Sequence, residues 1–300
     1  MHDSNTPENG VPNDKARRQV KKGPFRQAMK RLLRNKGAVV GLIILTIIIL
    51  LSLLAPLIAP YGFAEINIPN KFSPPSKDHW FGTDNVGRDI FSRILYGGRA
   101  SLQIGLISSF FAVIGAVIIG SIAGFFGGTT DNIMMRALDV IQAMPGFLLS
   151  IVIAAVLGNG LYETIIALSI GNLATSARIM RGSVLMIRKV EYIDAAVADN
   201  TSRFNIIRKH ILPNAFSPLI VQATMGSARA ILVAATLSFI GLGVQPPNPE
   251  WGAMLSAGRS YIRDYPYIIT IPGIAIMLTV LSLNLLGDGL RDALDPKQKR

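Results

Sequence analysis

Charged residues are scarce in this sequence, and cysteine is absent. Asp, Glu, Lys and Arg make up 16% of the 300 residues, whereas a soluble domain averages about 25%. Together with a hydrophobic fraction of 50% and a mean hydropathy of +0.42, this shortage predicts a membrane protein. The lack of cysteine excludes disulfide bonds and cysteine-ligated metal sites.

The common motifs of ATP-hydrolysing and metal-dependent sites are also missing. The sequence contains neither a G-x-x-x-x-G-K-[ST] phosphate loop nor an H-E-x-x-H helix. Its three histidines, His2, His79 and His210, lie far apart, so a metal site assembled in space is only a minor alternative. We therefore expect no catalytic residues, no metal and no cofactor bound by this chain, which is predicted not to be an enzyme.

Six apolar runs predict transmembrane helices, each of which needs ~20 residues to cross a hydrocarbon core about 30 Å thick. The predicted spans are residues 37–61, 100–130, 140–162, 164–177, 215–243 and 267–287. The first run is longer than the ~7–15 residues of a signal peptide and is predicted to be a retained anchor. The fourth is short, and we expect it to extend past Arg178. Small residues in these runs predict close helix packing.

Lysine and arginine are distributed unequally between the segments that flank these spans. One group of 22 lies in residues 1–36, at Arg136, in 178–214 and in 288–300. Only seven lie in the segment 62–99 and the loop after residue 243. The positive-inside rule therefore places both termini and the loop 178–214 in the cytoplasm, with 62–99 outside the cell membrane. Because the basic residues flank spans, the net charge of +12 does not indicate nucleic acid as a partner.

The N-terminal tail has two parts. Residues 1–22 are polar and predicted to be disordered. Between Phe25 and Lys36, apolar and basic side chains alternate at helical spacing. That pattern is typical of an amphipathic helix on an anionic membrane surface, and a solvated basic tail is the alternative.

Residues 100–287, after the anchor and the outer segment, are predicted to form a five-helix core.

A polar passage, DAAVADNTSRFNIIRKHILPN, occupies residues 194–214 between the fourth and fifth spans. Residues 191–199 favour a short helix with small, exposed alanines. Asn200 tolerates the left-handed conformation that ends a helix. Thr201 or Ser202 can then cap a second helix.

This second helix has an apolar stripe and a predicted end. Phe204, Ile207 and Ile211 share one face. Pro213 is predicted to push Leu212 out of the helical region and to stop the helix before the fifth span. A helix–bend–helix of this kind suits docking into a groove of a partner protein, and a passive linker is the alternative.

The passage resembles the EAA loop of ABC-importer permeases, which reads Glu-Ala-Ala, three residues, Gly, nine residues, then Ile-x-Leu-Pro or a near relative. The residues that carry the resemblance are Asp194-Ala195-Ala196, Asn200 and Ile211-Leu212-Pro213. Four longer stretches are similar to the C-type subunit of the dipeptide/oligopeptide/nickel group: LRNKGAVVGLIIL, HWFGTDNVGRDIFSRILYGGRASL, LSFIGLGVQPPNPEWGAML and NLLGDGLRDALDP. Asp194 replaces the family's Glu, and Asn200 replaces its Gly.

The resemblance implies an all-α membrane protein with six transmembrane helices in the type I ABC-importer (MetI-like) permease fold. The chain would form half of a translocation pathway for dipeptides or oligopeptides, beside a companion permease subunit. Two cytoplasmic ATPase subunits would bind ATP and Mg, and an extracytoplasmic substrate-binding protein would deliver the cargo. The cytoplasmic passage would be the coupling helix, and its implied ATPase contacts are Asp194, Ala195, Ala196, Asn200, Arg208, Ile211, Leu212 and Pro213.

Arg229 is a charge near the middle of the fifth predicted span. A charge at that depth is costly and usually faces a water-filled path or a partner. We interpret Arg229 as lining the translocation pathway. A structural ion pair with the companion permease, or a side chain that snorkels to the interface, is the alternative.

Two outer segments carry further candidates. Asp84, Arg88 and Asp89 are predicted to form a salt-bridged turn that nearby glycines permit, with a cation site as the alternative. Trp251 is interpreted either as a residue of the interfacial aromatic belt or as a contact for the binding protein.

Other functions stay open at this point. The cargo of the same class of importer could be nickel, glutathione or an opine. A secondary transporter driven by an ion gradient usually has acidic groups at mid-membrane, and here only Asp139 lies near a span end. A membrane scaffold without transport activity is the third class.

Overall fold

The structure is a computed structural model that describes residues 24–294. Apart from one isolated bridge between Thr83 and Asp89, the regular structure in that range is helical. Residues 1–22, which are predicted to be disordered, and the end of the predicted tail 288–300 lie outside the described range. The α-helices are α1 (Pro24–Leu32), α2 (Lys36–Leu53), α3 (Ala55–Ile58), α4 (Ile90–Phe126), α5 (Gly128–Gln142), α6 (Gly146–Leu157), α7 (Leu161–Ile187), α8 (Glu191–Ala198), α9 (Arg203–Ile206), α10 (Leu212–Phe239), α11 (Trp251–Gly258) and α12 (Tyr267–Leu294).

Four helices in the range 24–294 are long and apolar enough to cross a membrane. They are α2, α4, the continuous helix Arg203–Phe239 that contains α9 and α10, and α12. The pair α5 and α6 counts as a fifth if it is one broken span, since the two helices meet at 78°. The helix α7 has 27 residues but is not among these four. It carries Glu163 in its first turn and Arg178 and Arg181 in its second half. The predicted number of six spans stays a prediction.

Several helix boundaries differ from the predicted ones for local reasons. The helix α4 begins at Ile90 rather than at residue 100, because the Asp89 carboxylate accepts a hydrogen bond from the Ser92 amide at 2.7 Å and caps it. The third predicted span is divided before Gly146, because Pro145 lacks an N–H and disfavours a helical conformation for the residue before it. The fourth continues to Ile187, as expected.

The helices α4 and α7 make the most extensive contact between elements. Gly115, Gly120 and Gly124 lie on the face of α4 that meets α7. A Cβ added at Gly120 would lie 2.6 Å from the carbonyl oxygen of Ala177, so the two backbones touch there. The predicted role of small residues in close packing is thus observed at this pair. The helix α10 packs against α4, α7 and α12, and α2 packs against α12.

A buried arginine organises the segment between α3 and α4. Arg93 donates a hydrogen bond to the Phe63 carbonyl at 2.8 Å, and its Nε lies 3.8 Å from an Asp84 carboxylate oxygen. Asp84 also pairs with Arg88 at 2.6 Å. The salt-bridged turn is therefore present. Asp89 does not join it, because its side chain caps α4 and contacts His79 at 3.0 Å.

Trp251, the first residue of α11, is only 2% exposed. Its indole Nε1 donates to the Ile94 carbonyl at 3.0 Å, and its ring packs against Gly97 and Gly98 of α4. Both interpretations of this residue, an aromatic belt and a binding-protein contact, are wrong. The two glycines have no side chains, so α4 presents a recess that the indole fills.

The helix α1 is anchored to the end of α12. Leu32 is buried with Ala38 and Ala293, and Asn35 caps α2 while its side-chain amide donates to Asp292 at 3.2 Å. A helix is therefore present where the alternating pattern predicts one. Its contact with lipid stays a prediction.

Gly120→Ala tests the α4–α7 contact. The added Cβ would meet two backbone atoms of α7 within 3.0 Å, so the helices must separate, and overpacking of this kind costs about 1–3 kcal/mol. We expect a lower midpoint of thermal unfolding in detergent.

The matched control is Gly182→Ala in α7. A Cβ at Gly182 meets nothing within 4 Å, and alanine favours a helix over glycine by about 1 kcal/mol. We expect this variant to unfold at the same or a higher temperature. Equal melting of both variants would contradict the packing described for Gly120.

Candidate functional site

The polar passage forms a helix, a bend and a second helix. The helix α8 ends in a motif in which the amide of Asn200 bonds to the Val197 carbonyl at 3.0 Å and the amide of Thr201 bonds to the Ala196 carbonyl at 3.1 Å. These are the two hydrogen bonds that close a helix around a left-handed residue. Asn200 has φ of 54°, as predicted. The Ser202 side chain then caps α9.

The second helix does not stop at Pro213. Leu212 has helical dihedral angles, φ −53° and ψ −50°, so the predicted break is wrong. A π-helical turn, Ile207–Ile211, joins α9 to α10, and the Leu212 amide bonds five residues back to Ile207. The wider turn leaves Pro213 in the first turn of α10, where its missing N–H is tolerated. The Asn214 side-chain amide donates to the His210 carbonyl at 2.7 Å.

The π turn also changes which apolar residues share a face. Ile206 and Ile211 are buried, five residues apart, whereas Phe204 is 70% exposed. The predicted stripe of Phe204, Ile207 and Ile211 is therefore wrong at Phe204. Spacing by 3.6 residues does not hold across a turn with hydrogen bonds between residues i and i+5.

Three isoleucines fasten this passage to the spans. Ile193 of α8, Ile206 of α9 and Ile211 of the π turn are at most 2% exposed and share one buried cluster with Met180 and Val184 of α7. Burial of each such side chain stabilises by about 1.5–3 kcal/mol. The passage is thus a packed part of the fold and not a loose connection.

The residues implied to contact an ATPase divide into two groups by exposure. Those that are exposed are Asp194, Ala195, Asn200, Arg208 and Pro213. Ala196 and Leu212 are half-buried, and Ile211 is fully buried. Ile211 therefore anchors the passage and does not face outward. Val197, which lies beside the exposed group on α8, is 57% exposed.

A groove of about 590 Å³ lies between α8–α9 and the end of α4. Phe125 and Phe126 form one wall, and each lies beneath a guanidinium, Arg188 at 6.0 Å and Arg203 at 5.9 Å. Sequence analysis missed these four residues. The only signal available was an aromatic pair at the end of an apolar run.

Two ion pairs fasten α5 to α7. Arg181 holds both carboxylate oxygens of Asp131 at 2.5 Å, and Arg178 bonds to Asp139 at 2.5 Å. The first pair is largely shielded from solvent and the second is about half exposed. Asp139, noted in the sequence as an acidic residue near a span, therefore has a structural partner.

Arg229 lies on an exposed face of α10 that we call the open face. Its members recur at helical spacing: Pro218, Arg229, Leu232, Thr236 and Ile240, the residue after α10, are exposed, and Gln222 and Met225 are half-buried. Among the described residues Arg229 has no ion-pair partner. The opposite face of α10, which includes Ala230, Ile231 and Ala234, is buried.

The open face connects two cavities at opposite ends of α10. A cavity of about 620 Å³ lies between the ends of α7 and α12 and the start of α10, where Pro218, Gln222 and Met225 line it. A second, of about 390 Å³ at the far end, is lined by Ile240. Arg229 lies between them on the same face.

Residues 116–300 match the family described as binding-protein-dependent transport system inner membrane component. The chain belongs to this family. Residues 23–75 also match the N-terminal transmembrane domain of oligopeptide transport permease C. The described bundle of membrane helices is thus that of a permease component of ABC importers.

Curated relatives cover nearly the whole chain. The dipeptide transport system permease protein DppC of Alkalihalophilus pseudofirmus is 50% identical over 280 residues, which are 92% of this chain and 91% of that protein. The oligopeptide transport system permease protein OppC of Bacillus subtilis is 43% identical over 92% of this chain and 90% of its own. The glutathione transport system permease protein GsiD of Pectobacterium atrosepticum is 41% identical, with 92% of each chain covered.

A solved structure shares the fold. The MetNI methionine ABC transporter in inward-facing conformations superposes with a TM-score of 0.56 at 18% identity, over 68% of this chain and 96% of the matched chain. The MetI-like permease fold expected from the sequence is therefore confirmed.

Asn200 allows a direct test of the bend. Asn200→Ala removes the polar amide that helps asparagine adopt a left-handed conformation, here with φ of 54°. That conformation costs an ordinary L-residue about 1–2 kcal/mol. We expect the Thr201 amide, bonded to Ala196 across the bend, to exchange its hydrogen roughly tenfold faster.

Asn200→Gly is the matched control, since glycine adopts this conformation freely. We expect exchange at the Thr201 amide to stay within about twofold of the parent protein. Faster exchange in the glycine variant than in the alanine variant would contradict the described bend.

Proposed function

We propose that this chain is one permease subunit of an ATP-driven importer that carries dipeptides and oligopeptides across the cytoplasmic membrane. The observation that carries the proposal is the 50% identity, over nearly the full length, to a protein named as a dipeptide transport permease. Family membership supports an importer, and the relatives' names support peptide as the cargo. Glutathione, a modified tripeptide, is the second candidate because one relative at 41% identity is named for it.

The proposed assembly supplies what this chain lacks. Its sequence has no phosphate loop, so ATP and Mg would be bound by two separate ATPase subunits. A companion permease would complete the pathway, and an extracytoplasmic binding protein would deliver peptide. The excess of Lys and Arg on one side supports cytoplasmic termini and a cytoplasmic α8.

The exposed face of α8 is the proposed contact with an ATPase. Asp194 and Ala195 on this face are exposed, with Asn200 at the bend beside them, and small side chains allow close approach to a groove. Asp194 offers a carboxylate one methylene shorter than the family's usual Glu. Asn200 holds the bend that the family's usual Gly would hold.

The anchored isoleucines would transmit ATPase movement to the spans. Ile193 is buried among α7 residues, and Ile206 and Ile211 belong to the helix that continues into α10. Displacement of α8 would therefore move α7 and α10 with it as a rigid body. An ATPase can drive such a change only if it contacts the two states differently.

Arg229 is the proposed cationic residue of the pathway. Its exposed position between the two cavities of the open face supports contact with cargo, and a peptide carboxylate is the complementary group. A buried ion pair within this chain is not observed for Arg229 in the range 24–294. The alternatives are an acidic partner on the companion permease and a side chain that snorkels to the interface.

The assembly is tested by cross-linking from α8. Because the chain has no cysteine, Val197→Cys introduces a unique thiol on an exposed position of α8. We expect this variant, purified with its native partners, to cross-link to a co-purified ATPase. The yield of the cross-linked product should change when ATP is added.

Trp80→Cys is the control, since Trp80 is 61% exposed but lies in the segment predicted to be extracytoplasmic. We expect no cross-link to an ATPase from that position. Absence of any ATPase from the purified assembly, or peptide uptake driven by an ion gradient alone, would refute the proposal.

Arg229→Ala tests the pathway assignment. Loss of a charged hydrogen bond to cargo costs about 1.5–3 kcal/mol, so we expect peptide uptake by reconstituted complex to fall by roughly tenfold or more, with normal assembly. Arg229→Lys should retain part of the activity.

Leu232→Ala, one turn along the open face, is the uncharged comparison and should have a small effect. Unchanged uptake in Arg229→Ala would remove Arg229 from the pathway. Failure of Arg229→Ala to assemble with the companion permease would favour the structural ion pair.

A further inference from the structure

The cavity at the far end of α10 has an unpaired cation at its edge. Arg259 follows α11, and its guanidinium lies 5.7 Å from the centroid of the Phe239 ring. The side chain is exposed, and among residues 24–294 it has no carboxylate within ion-pair distance. The residues that line the cavity include no Asp or Glu.

Further polar groups border the same cavity. Ser238 is 5% exposed, and its hydroxyl has no hydrogen-bond partner within the described part of the chain. The Gln245 side-chain amide donates to the carbonyls of Gly241 at 3.1 Å and Gly243 at 3.0 Å, which holds it at the cavity wall. The Ser238 hydroxyl is enclosed against Gly243, so Gln245 is the polar side chain that the cavity wall places beside Arg259.

The wall of this cavity is mixed, and polar groups contribute more of it than apolar side chains do. Phe239, Ile240 and Val244 contribute hydrophobic surface to a volume of about 390 Å³. That volume is within the range of small-molecule sites. Phe239 is also the last residue of α10 and lies about 15 Å along the helix from Arg229, at a rise of 1.5 Å per residue.

We propose that this cavity is an entry site that binds the C-terminal carboxylate of a peptide, with Arg259 as its cation. A guanidinium binds a carboxylate through two parallel N–H···O bonds, and the apolar surface of Phe239, Ile240 and Val244 accepts the peptide's last side chain. The site rests on the proposed peptide-import function and places a cationic residue ahead of Arg229 on the route. Cargo would pass from Arg259 to Arg229 along the open face.

Uptake of paired cargoes tests the site. The full complex with its binding protein is reconstituted in vesicles, and uptake of a dipeptide is compared with uptake of its C-terminal amide. For each cargo, the rate of Arg259→Gln is divided by the parent rate, so that any preference of the binding protein cancels. We expect a loss of roughly tenfold for the free carboxylate and less than twofold for the amide.

Arg263→Gln is the matched control, because Arg263 is an exposed arginine of the same loop that does not line the cavity. We expect it to transport both cargoes at the parent rate. An equal loss for carboxylate and amide in Arg259→Gln would overturn the site in favour of a contact with the binding protein or the companion subunit. No loss for either cargo would overturn it outright.

A second measurement does not depend on the binding protein. Ala257 lines the cavity, and Ala257→Cys adds a unique thiol to this cysteine-free chain. We expect millimolar dipeptide, but not its amide, to slow modification of this thiol in the complex, and Arg259→Gln to remove the protection. Equal protection by both cargoes would overturn the proposal.

These outcomes separate the site from the proposed function. If the parent complex transports no peptide, the function and the site fall together. If the parent transports both cargoes and Arg259→Gln does not distinguish them, only the site falls.

Discussion

The burial of Ile193, Ile206 and Ile211 against α7 is the contact on which the proposed mechanism depends. An exposed helix with small side chains can dock into a partner, but docking alone moves nothing inside the membrane. These isoleucine side chains supply the connection between the docked helix and the spans, because they pack α8 and its bend into the buried core. A tethered helix without them would follow an ATPase while the spans stayed in place.

Continuity of the backbone extends this coupling. The helix runs continuously from Arg203 to Phe239, and the π turn lets it pass Pro213. The same helix therefore has the α8 connection at one end and the open face along its length. A rigid rotation that begins at α8 would change what Arg229 faces, which is how packed proteins convert small local shifts into discrete rearrangements.

The two faces of α10 differ in what they contact. One face consists of small and branched apolar residues that meet α4, α7 and α12. The other leaves Arg229 without an ion-pair partner in the described range. An uncompensated charge beside lipid would be expensive, so the Arg229 side chain requires water, cargo, an acidic group of a companion subunit, or a path by which it snorkels to the interface.

Much of the architecture was predictable from apolar runs, because a membrane helix must be apolar over most of its length. The bend at Asn200 and the salt-bridged turn at Asp84 were also predictable, since each depends on residues close in sequence. The errors arose where distant elements decide. Trp251 was assigned to a surface, but glycines 150 or so positions earlier, Gly97 and Gly98, open the recess that buries it.

The sequence alone determined that this is a helical membrane protein without an ATPase motif, with a helix–bend–helix between two spans. Composition and local conformational preference are properties of neighbouring residues, so no fold was needed to read them. Only the tertiary structure decided that Ile211 is buried against the spans, that the helix continues past Pro213, and that Arg229 lies on an exposed side of α10. Those facts depend on which helices pack together, and a π turn or a missing side chain elsewhere in the chain changes that packing.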